Sequence, residues 1–403
     1  MLDSATYRVN EQLAKASLPA WQIAQTHNVD HFEKVGFPVR INSVQDLGPL
    51  LDTMQENRFE KYMTELGGLT PQEYVQVIEA CRHSVLFQLN FFPGRQPVLP
   101  ASTLLSVFCL YKKLRGVNPS FRSVLEIGPG CGYLSYFLRH HHALENYSQI
   151  EACESFYILQ NLVNLHCFGP DFAERAFMPA GSDLSNHYSV PNAVTEFAPF
   201  VHLSRAEPRC THYPWWRIGE LTTRNIKFDI VTSNANLLEF SQAALRDYLS
   251  LVHQVLAPQG AFVVQCMGYP SHGSIQSLIE KFRETGFALL AMPQENLTTP
   301  PPKMARPSNL LTELKGETMQ SDPVVFTVNN ALLVKAGHPL YEKYRDPRNY
   351  RMEFVGDEPL VNDVFFSRPS QRQMYPLRQF IEDTERGFRR EPVEVNPALP
   401  GRA

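Results

Sequence analysis

The stretch SVLEIGPGCGYLSYFL at residues 123–138 contains three glycines directly after a short apolar run. The glycines are Gly128, Gly130 and Gly132, and Glu126 lies two positions before the first of them. A glycine-rich turn between a strand and a helix leaves backbone N–H groups open to a ligand, because no side chain blocks the approach. A carboxylate beside the turn would repel a pyrophosphate but suits a ligand with an ammonium or sulfonium charge. These residues therefore predict a binding site for a small ligand that carries a positive charge.

The spacing of the glycines differs from that of the dinucleotide fingerprint, which is G-x-G-x-x-G. Counted from Gly128, the sixth position is Tyr133, and the third glycine arrives one residue early. An NAD(P)-dependent oxidoreductase is one alternative function. Both Tyr133 and the Glu126 carboxylate weigh against it.

A second acidic residue is expected about 20 residues further on, at the end of the next predicted strand. In the segment YSQIEACES, Glu151 occupies that place and Glu154 is the alternative. A carboxylate there can accept hydrogen bonds from the hydroxyl groups of a ribose. The sequence therefore predicts Glu151 as a second residue of the same site.

These residues can act together only if strands and helices bring them to one edge of a sheet. From residue 121 onward, short apolar strands alternate with helices, which predicts a parallel sheet with right-handed crossovers. The last two strands, in FALLAM and VVFTVNNALLVKAG, have no helix between them and are interpreted as a hairpin at one edge. The predicted fold class is therefore α/β, a doubly wound seven-stranded Rossmann-like sheet with an antiparallel last strand.

The region before the sheet carries helical signals and almost no strand signals. One helix is predicted to begin after the N-cap Thr70, with Pro71 at its first position. Its predicted apolar stripe consists of Val75, Ile78, Val85 and Leu89. Another helix, ASTLLSVFCLYKKLRG, is followed directly by the first predicted strand.

The chain is predicted to divide into three parts. Residues 1–118 form an N-terminal helical lid or substrate region, 119–337 form the ligand-binding domain, and 338–403 form a polar C-terminal extension. Two segments lie outside the alternation of strands and helices, an insertion at 169–207 and a Pro-rich stretch at 293–322. The extension is expected to wrap the domain or to be partly disordered.

Composition limits the classes of function. The chain has 403 residues, 43% of them hydrophobic, and a formal net charge of −4. The charge gives no general attraction to nucleic acid or to an anionic membrane. The longest apolar run, LLSVFCLY at 104–111, is too short to span a bilayer. The seven cysteines form no C-x-x-C pair, which is typical of reduced thiols in a cytoplasmic protein.

The three histidines at 140–142 suggest a metal at first reading. They lie where a helix is predicted to end, a place that favours a charged imidazole because of the helix dipole. Adjacent positions do not converge on one metal ion. We therefore predict no metal site.

The pattern E-x-G-x-G-x-G resembles the first motif of the class I S-adenosylmethionine-dependent methyltransferases. The segments that follow resemble the same family in order, with FDIVTSNANLLEF as its fourth strand and VHQVLAPQGAFVVQ as its next helix, turn and strand. The resemblance spans about residues 119–337. It implies S-adenosylmethionine as the cofactor, bound by Glu126, the three glycines and Glu151. It further implies Trp215 near the adenine and Asn234 at the edge of the methyl-transfer site.

Within that family, the segments VLEIGPGCGYLS, YSQIEACESFYILQ, HYPWWRIGEL and NANLLEF look most like the sugar O-methyltransferases. An alcohol acceptor must lose its proton, usually to His, Asp or Glu. Candidates should lie on loops at the C-terminal edge of the sheet. The loop NANLLEF offers Glu239 and the loop MGYPSHGS offers His272, with Asn236 and Tyr269 beside them. Glu239 and His272 are therefore the predicted candidates for the general base.

The function predicted from these observations is methyl transfer to a hydroxyl group of a small molecule, a sugar or a glycosylated metabolite. The fourth strand does not end in the N-P-P-Y type of motif that related enzymes use to hold an amino group, and the chain is not basic, so nucleic acid is disfavoured as a substrate. The expected partner is a small-molecule acceptor, without nucleic acid or membrane. A methyltransferase-like scaffold that binds ligand without turnover is the second alternative.

Overall fold

Strands from most of the chain assemble into one mixed sheet. The computed structural model describes residues 3–17, 38–53, 58–176, 208–237, 240–265, 275–291, 330–346, 359–366 and 371–390. The strands in these ranges are β1 (Ser123–Ile127), β2 (Asn146–Glu151), β3 (Phe172–Glu174), β4 (Cys210–Pro214), β5 (Phe228–Asn234), β6 (Leu256–Gln265), β7 (Phe287–Ala291) and β8 (Ala331–Lys335).

Helices cover both faces of the sheet. In chain order they are α1 (Ser4–Ser17), α2 (Gly48–Thr53), α3 (Phe59–Leu66), α4 (Pro71–Phe91), α5 (Ala101–Val117), α6 (Ser135–Leu138), α7 (Glu154–Phe168), α8 (Gly219–Thr223), α9 (Gln242–Val255), α10 (Ile275–Glu284), α11 (Tyr341–Tyr344), α12 (Pro359–Val361) and α13 (Leu377–Arg390). Two hydrophobic clusters result. One cluster contains residues of the helices from α2 through α7 and of one face of the sheet. The other contains residues of α9, α10 and the opposite face.

The strand order across the sheet is β3-β4-β2-β1-β5-β6-β8-β7. Neighbouring strands from β3 to β6 are parallel, while β8 runs antiparallel between β6 and β7. The predicted fold class is thereby confirmed. The short strand β3 adds an eighth member at one edge, and it lies within the segment predicted as an insertion at 169–207.

The N-terminal helices α4 and α5 share one hydrophobic core with the sheet. Phe87 of α4 and Phe108 of α5 belong to the same hydrophobic cluster as Val124 of β1 and Tyr147 of β2. All four side chains are buried. The predicted division at residue 118 falls between α5 and β1, and the assignment of the helical part as a lid stays a prediction.

Helix α4 begins as predicted but buries another face. The Thr70 hydroxyl accepts a hydrogen bond from the Glu73 N–H at 3.2 Å, and the Glu73 carboxylate accepts one from the Thr70 N–H at 3.0 Å. The predicted stripe is wrong, since Val75 is 55% exposed and Leu89 is 37% exposed. The buried positions are instead Val77, Ala80, Cys81, Ser84, Phe87, Gln88 and Phe91, together with Glu73. On this face the buried Gln88 amide is satisfied by the backbone of Val98 at 2.7 and 2.8 Å.

The C-terminal arm, which we define as residues 359–366 and 371–390, packs on the N-terminal helices. Arg372 donates hydrogen bonds to the carbonyl oxygens of Leu66 and Gly68 at 2.8 and 2.6 Å. Tyr375 stacks on Tyr74 of α4 with ring centroids 4.0 Å apart. These contacts join the arm to the N-terminal helices, and the expectation that the extension wraps the ligand-binding domain stays a prediction.

Two element bounds differ from the sequence prediction. The helix after the glycine turn is the single turn α6 rather than a helix through YLSYFLRHHH. Helix α9 ends at Val255 and not at Pro258 or Gly260, because Leu256 already pairs with Phe228 as part of β6. A Cβ at Gly260 would lie 2.7 Å from the carbonyl oxygen of Asp229, so this glycine permits close strand approach.

The described cysteines are free thiols, and five of the six are buried. Burial raises the pKa of Cys81 and of Cys153 to about 12, so both thiols stay protonated near neutral pH. Across the ranges given above, we find no helix with the length and apolar character needed to cross a lipid bilayer.

Candidate functional site

The sheet forms a crevice at the C-terminal ends of β1 and β5. Strand β1 pairs with β2 on one side and with β5 on the other, and all three are parallel. The chain continues from β1 to β2 on one side and from β5 to β6 on the other, and ligands of open α/β sheets bind at such a switch point. The glycine turn follows β1 and the segment NAN begins at the end of β5, so both border the crevice.

The three glycines of the turn all have left-handed backbone. Their φ values are +63° at Gly128, +58° at Gly130 and +74° at Gly132. The N–H groups of Gly128 and Gly132 donate to backbone carbonyl oxygens at 3.0 Å. Those of Gly130 and Cys131 have no backbone acceptor within the described ranges. Since Gly130 is only partly buried, the middle of the turn offers hydrogen-bond donors to a ligand.

Glu126 lies beneath the turn and is 3% exposed. The Tyr147 hydroxyl donates a hydrogen bond to its carboxylate, and the Gln149 amide lies 3.4 Å from the same oxygen. Burial raises the pKa of Glu126 to about 7, against the lowering effect of these two hydrogen bonds. Its predicted contact with a bound cofactor stays a prediction, because the carboxylate is directed to Tyr147 in this structure.

Glu151 ends β2 beside the turn. One carboxylate oxygen accepts hydrogen bonds from the N–H groups of Ala152 and Cys153 at 2.8 and 2.9 Å. The other accepts from the amide of Gln160 at 2.8 Å. Burial raises the pKa of Glu151, while the three hydrogen bonds oppose the shift. The same Gln160 nitrogen donates to the Gly130 carbonyl at 2.6 Å, which ties the predicted ribose carboxylate to the turn.

Glu154, the alternative for the ribose contact, has other partners. The Arg8 guanidinium of α1 lies 2.9 Å from its carboxylate, and the Arg40 guanidinium lies 2.6 Å from it. The Ile41 N–H also donates to it at 3.2 Å. Because two arginines already bind the Glu154 carboxylate, Glu151 stays the predicted ribose contact.

Trp215 follows β4 at the same edge of the sheet and is fully buried. Its ring lies edge-on to Trp216 with centroids 5.4 Å apart. Its indole N–H has no hydrogen-bond partner among the residues that the structure describes. A contact between Trp215 and an adenine stays a prediction.

Asn234 is the last residue of β5 and is partly buried. Asn236 has a role that the sequence did not predict. Its amide nitrogen donates to the Ile127 carbonyl at 2.7 Å, and its oxygen accepts from the Ser233 hydroxyl. Ala235 between the two asparagines has φ +58°, which turns Asn236 back toward β1.

The two predicted base residues cannot be placed. Glu239 and His272 lie outside the described residues, as does Tyr269. Of the three adjacent histidines, His141 is buried, stacks on Phe121 with ring centroids 4.0 Å apart, and lies 3.0 Å from the Phe121 carbonyl. These contacts give His141 a packing role.

The described residues fit the cofactor that the resemblance implies. The turn provides open backbone donors at Gly130, and Glu151 lies next to it. Two buried polar atoms close to this region, the Gln160 amide oxygen and the Trp215 indole N–H, lack partners within the described part of the chain. Unpartnered buried polar atoms beside a crevice are expected where a polar ligand binds. Gly130 and Glu151 are thus the residues that would hold a nucleoside-containing cofactor, with Gln160 bonded to both.

No protein-family model matches the chain, and no curated protein matches it in sequence. Among solved structures, an O-methyltransferase family protein from Burkholderia thailandensis is 13% identical with a TM-score of 0.33, over 59% of this chain and 57% of that one. A TehB-like SAM-dependent methyltransferase from Corynebacterium glutamicum is 12% identical with a TM-score of 0.30, over 56% of this chain and 87% of its own. The N-methyltransferase NodS from Bradyrhizobium japonicum is 10% identical with a TM-score of 0.32, over 69% and 97%. Structural similarity at these TM-scores and sequence identities does not assign a family or an activity to this chain.

Proposed function

We propose that this chain is an S-adenosylmethionine-dependent methyltransferase that methylates a hydroxyl group of a small molecule, a sugar or a glycosylated metabolite. The observation that supports it most is the left-handed glycine turn at the switch point, joined through Gln160 to the Glu151 carboxylate. We further propose that it acts in the cytoplasm, as the absence of C-x-x-C pairs among its seven cysteines indicates, and that it uses neither nucleic acid nor a membrane, since its formal net charge is −4.

Each part of the crevice has a separate task in this proposal. The open N–H groups of the turn bind the amino-acid end of the cofactor, and Glu151 accepts hydrogen bonds from its ribose hydroxyls. When bound, the cofactor supplies an electrophilic methyl group on a sulfonium. The protein then has to align the acceptor oxygen behind that methyl group and exclude water.

The acceptor hydroxyl also needs a base. We propose that Glu239 or His272 removes the proton, since in the sequence they come after β5 and β6, two strands that end at this edge of the sheet. Replacing the true base should lower kcat far more than it raises KM, because the proton moves only in the transition state.

The binding half of the proposal is tested with S-adenosylhomocysteine and the variant Gly130→Val. At φ +58° a β-branched side chain is strained, and it would also block the approach of a ligand to the backbone. We expect calorimetry to show tight binding to the wild type and at least a hundredfold weaker binding to Gly130→Val.

The matched control is Gly169→Val, which has a similar φ of +52° and no atom within 4 Å of the position that a Cβ would take. Gly169 lies just before β3, at the amino ends of the parallel strands, so this variant strains the backbone, at φ +52° and ψ −122°, away from the crevice. It should bind S-adenosylhomocysteine like the wild type. Equal affinity of a folded Gly130→Val variant would show that the site is misplaced.

The alternatives give different results in the same assay. S-adenosylhomocysteine should raise the melting temperature by mass action, and NAD should not. An oxidoreductase would show the reverse. A scaffold without turnover would bind S-adenosylhomocysteine but yield no methylated product when labelled S-adenosylmethionine is incubated with panels of small molecules.

A further inference from the structure

The glycine turn lacks the usual support from a long helix. The unfolded chain has more conformational freedom at glycine than at other residues, so fixing three glycines in one turn has an entropic cost. The helix that follows, α6, has only four residues. Other contacts must therefore hold the turn.

One such contact comes from the β5 side of the crevice. The Asn236 amide nitrogen donates to the Ile127 carbonyl at 2.7 Å and lies 3.5 Å from the Gly128 carbonyl. It occupies the place that a Cβ on Gly128 would need, so the absence of a side chain at Gly128 serves Asn236 rather than a ligand. The carbonyl oxygen of Asn236 is held in turn by the Ser233 hydroxyl.

The second contact comes from α7 on the β2 side. The Gln160 amide nitrogen donates to the Gly130 carbonyl at 2.6 Å and to the Glu151 carboxylate at 2.8 Å. Its Cγ lies 3.2 Å from the position of a Cβ on Gly132. Gln160 is completely buried, so water does not compete for these bonds.

We infer that Asn236 and Gln160 are positioning residues that hold the glycine turn, from opposite sides of the crevice, in the shape that binds the cofactor. The identity of the ligand in this inference rests on the proposed function, whereas the contacts that hold the turn do not depend on it. The two amides order the turn before the ligand arrives, which lowers the entropic cost of binding.

The test uses Asn236→Ala and Gln160→Met in the full chain. Methionine keeps the volume of glutamine and its packing on Gly132 but donates no hydrogen bond. Each variant should raise the Kd for S-adenosylhomocysteine about tenfold, the effect of losing one or two hydrogen bonds. Hydrogen exchange of the peptide that covers residues 126–134 should become about tenfold faster, while exchange in α4 stays the same.

Matched controls separate this role from a general loss of stability. Gln88→Met removes another buried glutamine that bonds backbone, at Val98, and Asn118→Ala removes another loop asparagine, which bonds Ser120. Both controls should leave the Kd and the exchange of residues 126–134 unchanged. Equal exchange in the turn of the Asn236→Ala and Gln160→Met variants and the wild type would overturn the inference, whether or not ligand binds. If the wild type fails to bind S-adenosylhomocysteine, the proposed function fails, and the exchange measurement still decides the role of the two amides.

Discussion

At the scale of single residues, Glu126 is the group whose environment departs most from what its motif predicts. The sequence predicts a carboxylate next to a cationic ligand. The structure buries it under the turn, in contact with Tyr147 and Gln149. The Gln149 amide oxygen accepts from Asn164 at 2.5 Å, and Asn164 accepts from the Ser135 hydroxyl at 2.7 Å. Glu126 therefore starts a buried polar network that supports the turn from below.

This burial predicts a pH dependence of stability. The pKa of Glu126 is about 7 in the folded protein against an ordinary value of 4.5, so the folded state binds this proton more tightly than the unfolded chain. Its favourable contribution is complete below pH 4.5 and is lost as the pH rises to about 7. The free energy of unfolding of the wild type should therefore fall between pH 5 and pH 7.5. Glutamine has no such proton to lose, so in Glu126→Gln the fall should be smaller by up to about 3 kcal/mol.

Urea unfolding of the variant and the wild type at several pH values measures this difference. Other groups, such as His83 and His166, whose pKa values burial lowers to about 3 and about 4, titrate equally in both proteins and cancel. Parallel stability curves for the two proteins would contradict the prediction.

The sequence predicts residues that are required by local backbone conformation, such as the glycines of the turn. It does not predict which distant residues contact them. Gly128, Gly130 and Gly132 were identifiable because left-handed backbone favours glycine. The hydrogen bond from Asn236 to Ile127 joins residues 109 positions apart, and no local pattern encodes that distance. The segment YILQ contains Gln160, but nothing in its spacing showed that the amide would face the turn.

At the scale of elements, α1 is attached to the site by charge as well as by packing. Arg8 and Arg40 both bind the Glu154 carboxylate, and Arg40 also binds Glu11 of α1 at 2.6 Å. The Tyr7 ring packs on Trp216 with centroids 4.9 Å apart, next to Trp215. Helix α1 thus lies over the ends of β2 and β4, where the nucleoside is proposed to bind.

Glu154→Gln should release α1. The substitution keeps the shape of the side chain but removes the charge that both arginines neutralise, and breaking a buried pair is costly. We expect trypsin to cleave after Arg8 and Lys15 about tenfold faster, because the helix opens more often. The control Glu382→Gln breaks the exposed pair with Arg378 and should leave both cleavage rates unchanged. Equal cleavage in Glu154→Gln and wild type would mean that packing alone docks α1.

The sequence predicts which segments form helices and strands better than it predicts which side of each helix is buried. For α4, the predicted N-cap is confirmed because capping depends on neighbouring residues, but the predicted buried side is wrong. Val75 and Leu89 have helical spacing, yet the C-terminal arm and the sheet cover other positions of the same helix. The arm reaches α4 across about 300 residues of sequence, as the Arg372–Glu73 pair shows with a separation of 299. Deletion of residues 1–90, a direct test of the lid, would remove α4 from the core, so single substitutions are the better test.

At the scale of the whole molecule, the C-terminal arm completes the helical layer on one face of the sheet. Residues Asp363 and Val364 pass so close to α5 that a Cβ on Gly116 would lie 2.5 Å from the Asp363 carbonyl oxygen. Gly116→Ala gains helix propensity of up to about 1 kcal/mol. The collision with fixed backbone should exceed that gain, and we expect a net loss of about 1–3 kcal/mol in the free energy of unfolding.

Gly387→Ala is the matched comparison in helix α13. There a Cβ would meet the side chain of Arg82 at 2.7 Å, and a flexible side chain can move away. This variant should be neutral or up to about 1 kcal/mol more stable. Denaturant unfolding of both variants compares them directly, and a Gly116→Ala variant as stable as Gly387→Ala would show that the arm yields easily.

The additional strand β3 has a consequence for how the protein behaves at high concentration. An open sheet ends in a row of unpaired backbone groups that can template pairing with another molecule and seed aggregates. Strand β3 offers only three residues, and its last one, Glu174, carries a carboxylate bound to the Tyr157 hydroxyl. A short edge that ends in a carboxylate gives a neighbouring strand little length on which to extend the sheet, so within the described part of the chain β3 disfavours intermolecular pairing at this edge.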